Sequence, residues 1–531
     1  MFKKLSLFLI SNLITVFLYA QLDVIPQPNA TTYNSGDFTI NSKTVVISAS
    51  SQYIKETKAL TEYFKTTFDL SIKTGLKPSG SNQIILKENS GLGEEEYIIT
   101  SNKKNIICEA STPAGMFYAM QTLIQAFDNS EKKHTIAAMT LRDSPRYAWR
   151  GLMLDESRHF FGKEVVKQLL DVMAYLKMNR FHWHLTDEPG WRIEIKKYPK
   201  LTEIGAEGNW HDSKAPRKFY TQDEVREIVA YASERHIMVI PEIDMPGHAI
   251  AANRAYPEFS AGGTGRWKDF TFHPTRETTY KFIDDVLTEV AQLFPAPYIH
   301  IGGDEVHYGN QIWFTDPEIQ QFIKDNDLKN EVGLEHYFVR RACDIVNSKD
   351  RIMIGWDEII ASGVTPNKAV VMWWRHDKPD QLVAALEKGF DVIMTPRIPC
   401  YFDFVQHESH KIGRRWSGTF NTMQTIYSFP DNLSNLITNH TNKIWGMQAS
   451  LWTERIADVN RLNFMLFPRL AGIAENAWTN PKSKDYSRFE KNIKNFLRYL
   501  DKKGINYFNL FEPESTPEPW GPDKADIIAE G

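Results

Sequence analysis

Cysteine is nearly missing. Three occur in 531 residues, Cys108, Cys343 and Cys400. They are far apart, odd in number and without metal-ligand spacing. That excludes a disulfide framework and leaves them as small buried hydrophobes. A chain of this size then depends on its hydrophobic core. Long runs of Lys and Arg are also missing, and the formal net charge is −4. A general nucleic-acid or anionic-membrane surface is therefore not expected. After the N-terminus no apolar segment is long enough to cross a bilayer.

What is present starts with an export signal. Lys3 and Lys4 precede an apolar stretch at 5–19, interrupted by Ser11, Asn12 and Thr15, with Ala20 as the last residue before cleavage. The interruptions argue against a membrane anchor, and no cysteine follows to carry a lipid. Export is expected, with periplasmic and secreted destinations both open. The hydrophobic fraction of 42% and charged fraction of 24% are those of a soluble globular protein. The 14 Trp and 21 Tyr are a surplus that suits a carbohydrate partner, because aromatic faces grip sugar rings.

The length implies two or three domains, or one barrel with an added domain. Residues 21–144 read as a small α+β unit, with short alternating strands at 44–48, 83–86 and 97–100 and an amphipathic helix at 113–127 that has Pro113 near its start. No acid pair or histidine cluster falls there, so its expected role is structural. From Trp149 the rhythm changes. Candidate strands at 150–154, 180–185, 237–240, 298–301, 352–355, 369–373, 392–395 and 444–449 alternate with helices at 163–177, 222–235, 278–293, 335–346 and 381–387. A last helix is expected at 462–474. The alternation predicts an α/β fold, a (β/α)8 TIM barrel over 145–510 preceded by the small α+β domain. A doubly wound open sheet is the competing topology, disfavoured because no Gly-x-Gly-x-x-Gly follows the first strand. The connection at 404–443 is long and reads as a loop over the barrel mouth. Its Arg414 and Arg415 read as solvated charges, with a sulfated-sugar contact as the alternative. Residues 511–531 carry several prolines and acids and read as an extended, weakly ordered tail.

Barrel chemistry sits at the C-terminal ends of the strands. The fourth strand ends in Tyr298-Ile-His-Ile-Gly-Gly-Asp-Glu305: a β-branched run, two glycines that let the backbone turn, then two adjacent carboxylates. The other ends are equally loaded: Asp155, Arg158 and His159; His182-Trp-His184 and Asp187-Glu188; Glu242, Asp244 and His248; Trp356-Asp-Glu358; Trp373-Trp374-Arg375; Tyr401 and Asp403; Gln448, Trp452 and Glu454. Two acids without an evident metal cage point to acid–base chemistry, and a tryptophan-walled, polar-rimmed pocket suits a sugar ring. Adjacent Asp304 and Glu305 have diverging side chains on a regular strand, so they are expected to have different jobs.

These motifs resemble glycoside hydrolase family 20, the β-N-acetylhexosaminidases. The matching stretches are Arg150-Gly, Phe181-His-Trp-His-Leu-Thr-Asp187 with Gly190-Trp-Arg192, Pro241 to His248, His300 to Glu305, Gly355 to Glu358, and Gln448 to Glu454. The N-terminal unit also looks like the small domain that precedes this barrel. The resemblance implies a retaining exo-hydrolase of terminal β-linked N-acetylglucosamine or N-acetylgalactosamine, without cofactor or metal. The substrate's own acetamido oxygen would attack C1 to form an oxazolinium intermediate. It implies Glu305 as general acid and then base, Asp304 as acceptor of the acetamido N–H, and Tyr401 as donor to the acetamido oxygen. Trp356, Trp374 and Trp452 would wall the sugar, with Trp373 the alternative to Trp374, since alternation lets only one of the two face the pocket. Arg150, Glu454 and Asp403 would hold ring hydroxyls, and Asp187 and His248 would support the acids. Met447 stands where the family pattern has glycine.

Two other readings stay open at this stage. His182-x-His184 shares one strand face and would suit a metal-dependent barrel hydrolase. A non-catalytic glycan-binding barrel is the other.

Overall fold

The structure is a computed structural model and describes residues 22–519 apart from 131, 133 and 417. The expected export signal and the last part of the tail lie outside the described residues.

The small domain is built on a seven-stranded sheet: β1 (Ala30–Thr39), β2 (Val45–Ser48), β3 (Lys73–Gly75), β4 (Gln83–Glu88), β5 (Tyr97–Ser101), β6 (Asn105–Ala110) and β7 (Thr135–Asp143), in the spatial order β1-β7-β5-β6-β4-β2-β3. Two helices, α1 (Ile54–Phe68) and α2 (Pro113–Asp128), pack on it. α2 begins where Thr112 accepts from the Gly115 N–H and Pro113 occupies the first turn. It is buried on almost every side because it is sandwiched between sheet and barrel. Its Gln125 amide donates to the Tyr175 carbonyl of a barrel helix.

The barrel strands are β8 (Trp149–Asp155), β9 (Arg180–His184), β10 (Met238–Met245), β11 (Tyr298–Gly302), β12 (Ile352–Trp356), β13 (Ala369–Trp373), β14 (Asp391–Met394) and β15 (Ile444–Leu451). All pair in parallel, and β15 closes the ring on β8 from Gly446 opposite Trp149 to Leu451 opposite Leu154. Met447 is buried in this last strand. The third strand runs beyond the expected 237–240, so Glu242 and Asp244 lie two apart on one face.

Three expectations need correction. The single helix at 462–474 is two, Val459–Leu466 and Arg469–Trp478, broken at Pro468, which has no N–H to continue the ladder. Only the first half of 404–443 lies at the mouth. The rest contains the helix Met423–Ser428, which packs on Arg469–Trp478, and Ser434–Ile437, which leads back to the start of β15. The tail is not loose as far as Pro519: Glu518 accepts from the backbone N–H groups of Lys411 and Ile412 and from Arg461. One long helix, Tyr486–Lys503, was not anticipated; Phe489, Ile493, Phe496, Leu497 and Leu500 form its buried stripe. Among the described residues no helix is long and apolar enough to cross a membrane.

Candidate active site

β11 stops because Gly302 and Gly303 take φ values of 71° and 92°. A Cβ on Gly302 would sit 1.7 Å from Oδ1 of Asp244, so the turn requires glycine to let the neighbouring strand's carboxyl in. The turn then delivers the two acids in different directions. Asp304 is 8% exposed, while the Glu305 side chain is 31% exposed and its backbone is left-handed at φ 50°. His248 faces both, with Nε2 3.7 Å from Asp304 Oδ2 and 3.7 Å from Glu305 Oε2.

Behind the pair is a chain of buried histidines and carboxylates. Glu242 meets His182 Nε2 at 2.9 Å, His184 Nδ1 at 2.6 Å, His300 Nδ1 at 2.9 Å and the Trp356 indole N–H at 3.1 Å. His184 continues to Asp187 at 2.8 Å, and Asp187 to His248 at 3.1 Å. Burial alone would push Glu242 up, but the three histidines hold it well below the carboxylate range. Burial pulls His184 and His248 down, and the carboxylates around them win, leaving both well above ordinary imidazole. His182 is pulled down to about 4 by burial. Burial pushes Asp304 up to about 7 against the pull of His248, with Glu305 adding to the rise. His182, Glu242 and His300 also offer ligand atoms within 4.8 Å of one another. This set is fully buried in the barrel interior, where Glu242 already engages both rings.

The walls are aromatic. Trp356 lies at the base, and Trp374 is 8% exposed with its indole N–H on Glu358 at 3.0 Å. Trp374 stacks on Tyr401 at 6.3 Å and 9°, and Trp452 lies 6.0 Å from both Tyr401 and Trp356. Of the adjacent pair, Trp374 joins this cluster and Trp373 packs outward among the helices, as alternation requires. Asp357 fixes the turn by accepting from the backbone N–H groups of Trp374 and Arg375.

The remaining polar groups close one side. Arg158 pairs with Asp187 at 2.5 Å, approaches Glu188 at 3.4 Å and lies over the Trp452 ring at 5.1 Å. Arg414 reaches Glu454 at 2.7 Å and Asp403 at 3.3 Å. Burial would raise Glu454, but Arg414 and Arg158 hold it low; burial pushes Asp403 up to about 7 against Arg414. Asp304 Oδ1, Asp403 Oδ1 and Glu454 Oε2 are buried and find no hydrogen-bond partner among the described residues.

Arg150 does not belong here. It lies at the start of β8, the opposite end of a strand about 20 Å long. Its guanidinium is buried against Glu95 of the small domain at 2.8 and 2.9 Å, the Lys177 carbonyl at 2.8 Å and the Tyr147 carbonyl at 2.8 Å. Arg158, three residues past the end of the same strand, is the arginine that the fold brings to the pocket. The rule that barrel chemistry sits at strand C-termini would have selected it. Arg414, read as solvated, is instead paired with two site carboxylates. The other expected residues, Glu305, Asp304, Tyr401, Asp187, His248, Trp356, Trp374, Asp403, Trp452 and Glu454, gather at one barrel mouth.

A closed parallel barrel with a diverging carboxyl pair on its fourth strand and a tryptophan-walled mouth defines a glycoside hydrolase. The chain belongs to glycosyl hydrolase family 20: residues 147–481 match its catalytic domain and residues 21–144 its domain 2. It is 36% identical over 505 residues to a beta-hexosaminidase of Porphyromonas gingivalis, covering 92% of this chain and 64% of that protein's length. The structure of an exo beta-N-acetylglucosaminidase from Vibrio harveyi, solved with N-acetylglucosamine, superposes with a TM-score of 0.84 at 32% identity, over 92% of this chain and 78% of that one. A beta-N-acetylhexosaminidase from Bacteroides fragilis gives 0.80 at 29% identity, over 94% and 99%.

Proposed function

We propose that this protein is a retaining exo-β-N-acetylhexosaminidase that removes terminal non-reducing β-linked N-acetylglucosamine or N-acetylgalactosamine with help from the substrate's acetamido group. The observation that carries this reading is the divergence of Asp304 and Glu305, one walled in and one facing the mouth, with a single imidazolium between them. Glu305 donates its proton to the glycosidic oxygen and then takes one from water. Asp304 has a buried, unpartnered oxygen ready for the acetamido N–H. That bond favours the ionised Asp304. Tyr401 donates to the acetamido oxygen, and Trp356, Trp374 and Trp452 hold the group and the ring. Arg158, Asp403 and Glu454 take the hydroxyls. Asp187 supports His248, and His248 supports both acids. The N-terminal segment directs export.

Glu305→Gln tests the assignment. Hydrolysis of an aryl N-acetyl-β-glucosaminide should fall by about 10²- to 10⁴-fold while N-acetylglucosamine still binds. Persistent turnover would move the acid elsewhere. The N-acetyl substrate should also far outpace its 2-hydroxy analogue; equal rates would remove the acetamido group from the mechanism.

A further inference from the structure

The tail is tied to the pocket through the rim loop. Arg461, on the helix Val459–Leu466, is buried, and Glu518 supplies its carboxylate at 2.6 Å. The same carboxylate accepts from the Lys411 N–H at 2.7 Å and the Ile412 N–H at 3.1 Å. Arg461 closes the circuit by donating to the Ile412 carbonyl. One residue further on, Gly413 is at φ 126°, and a Cβ there would meet Val405 at 2.7 Å and the Asp403 carbonyl at 2.9 Å. The chain then doubles back, with Arg414 N–H on the Asp403 carbonyl and Val405 N–H on the Arg414 carbonyl. This places the Arg414 guanidinium between Asp403 and Glu454.

We infer that Glu518 is a positioning residue for the sugar pocket: it clasps the rim loop at Lys411 and Ile412 and so sets Arg414 against the two carboxylates that receive the ring hydroxyls. The inference rests on the sugar-binding reading of that pocket. Arg414 is half-exposed and reaches the carboxylates from a loop without regular secondary structure, so its placement depends on what anchors the loop. The anchor has directional bonds and a buried counter-charge, which a loop held only by apolar contacts lacks.

The test uses the full-length protein with Glu518→Gln and Glu518→Ala. Expected results are a KM raised by about 2- to 30-fold with kcat little changed, and faster backbone hydrogen exchange in 405–416. Arg414→Ala should raise KM similarly, and adding Glu518→Ala to it should raise KM no further. Glu518→Asp should recover part of the loss. Unchanged exchange would overturn the clasp. Faster exchange, or a lower Tm, with an unchanged KM would overturn the link to the pocket. An additive double variant would do the same. Exchange is read without sugar, so a wild-type protein that failed to turn over the glycoside would sink the functional reading while exchange still judged the clasp.

Discussion

Asp304 and Glu305 are neighbours in the chain with opposite surroundings. The difference follows from two glycines that turn the backbone and a left-handed φ at Glu305. It has a consequence for stability. A carboxyl raised to about 7 when folded keeps its proton more tightly than the unfolded chain does. Asp304 therefore costs stability as pH rises from the ordinary Asp range through about 7, and the cost is full above that. Asp304→Asn, which is never charged, should melt higher than wild type at pH 8, by roughly 1–3 °C, with the gap closing towards pH 4. Thermal melts at several pH values check this; a gap independent of pH would contradict it. The two acids and the tryptophan parity were legible in the sequence, because a strand's alternation and its terminus are local properties; Tyr401, seven residues past the end of β14, was singled out through the family resemblance. Arg150 entered only through the family resemblance; the expected strand at 150–154 already put it at the end away from the mouth, and its true partner, Glu95, lies in the other domain.

At the scale of elements, the barrel rhythm was legible because β-branched runs and helical stripes repeat along the chain. What blurred the pattern were interruptions and irregular segments: Pro468 splitting a helix, and a connection that starts as a rim loop and returns as short helices. The turn after β11 is the element most exposed to sequence change. Gly302→Ala must add an atom 1.7 Å from Asp244 Oδ1 while keeping φ at 71°. It should cost more than about 2 kcal/mol and remove most activity. Denaturant unfolding together with a glycoside assay checks both. Near wild-type stability would mean that the strand end can shift without glycine.

At the scale of the whole molecule, the small domain is riveted beneath the barrel. Arg150 meets Glu95, and Asn179 also donates to Glu95. Trp478 donates to Asp143, which Lys177 approaches at 3.4 Å. Arg150→Met should therefore lower stability by about 3 kcal/mol and leave KM within two-fold of wild type. Arg158→Lys, which keeps the charge but loses the planar fork, should raise KM. Unfolding curves beside Michaelis curves separate the two; a KM increase in Arg150→Met would return that residue to substrate binding.

The sequence by itself determined the eightfold alternation, the presence of a small domain before it, and the acid pair at the fourth strand's end. Each is written in neighbouring residues, through periodicity and turn chemistry. Only the tertiary structure decided that Glu242 gathers three histidines, that Arg150 faces Glu95 across 55 residues and that Trp356 bonds Glu242 across 114. It also decided that Glu518 closes on Lys411 across 107 residues. The physical reason is the same each time. A buried charge takes the partner that the fold brings within hydrogen-bond reach, and tertiary packing, not adjacency in the chain, sets that distance: barrel closure for Glu242, docking of the small domain for Arg150, and docking of the tail for Glu518.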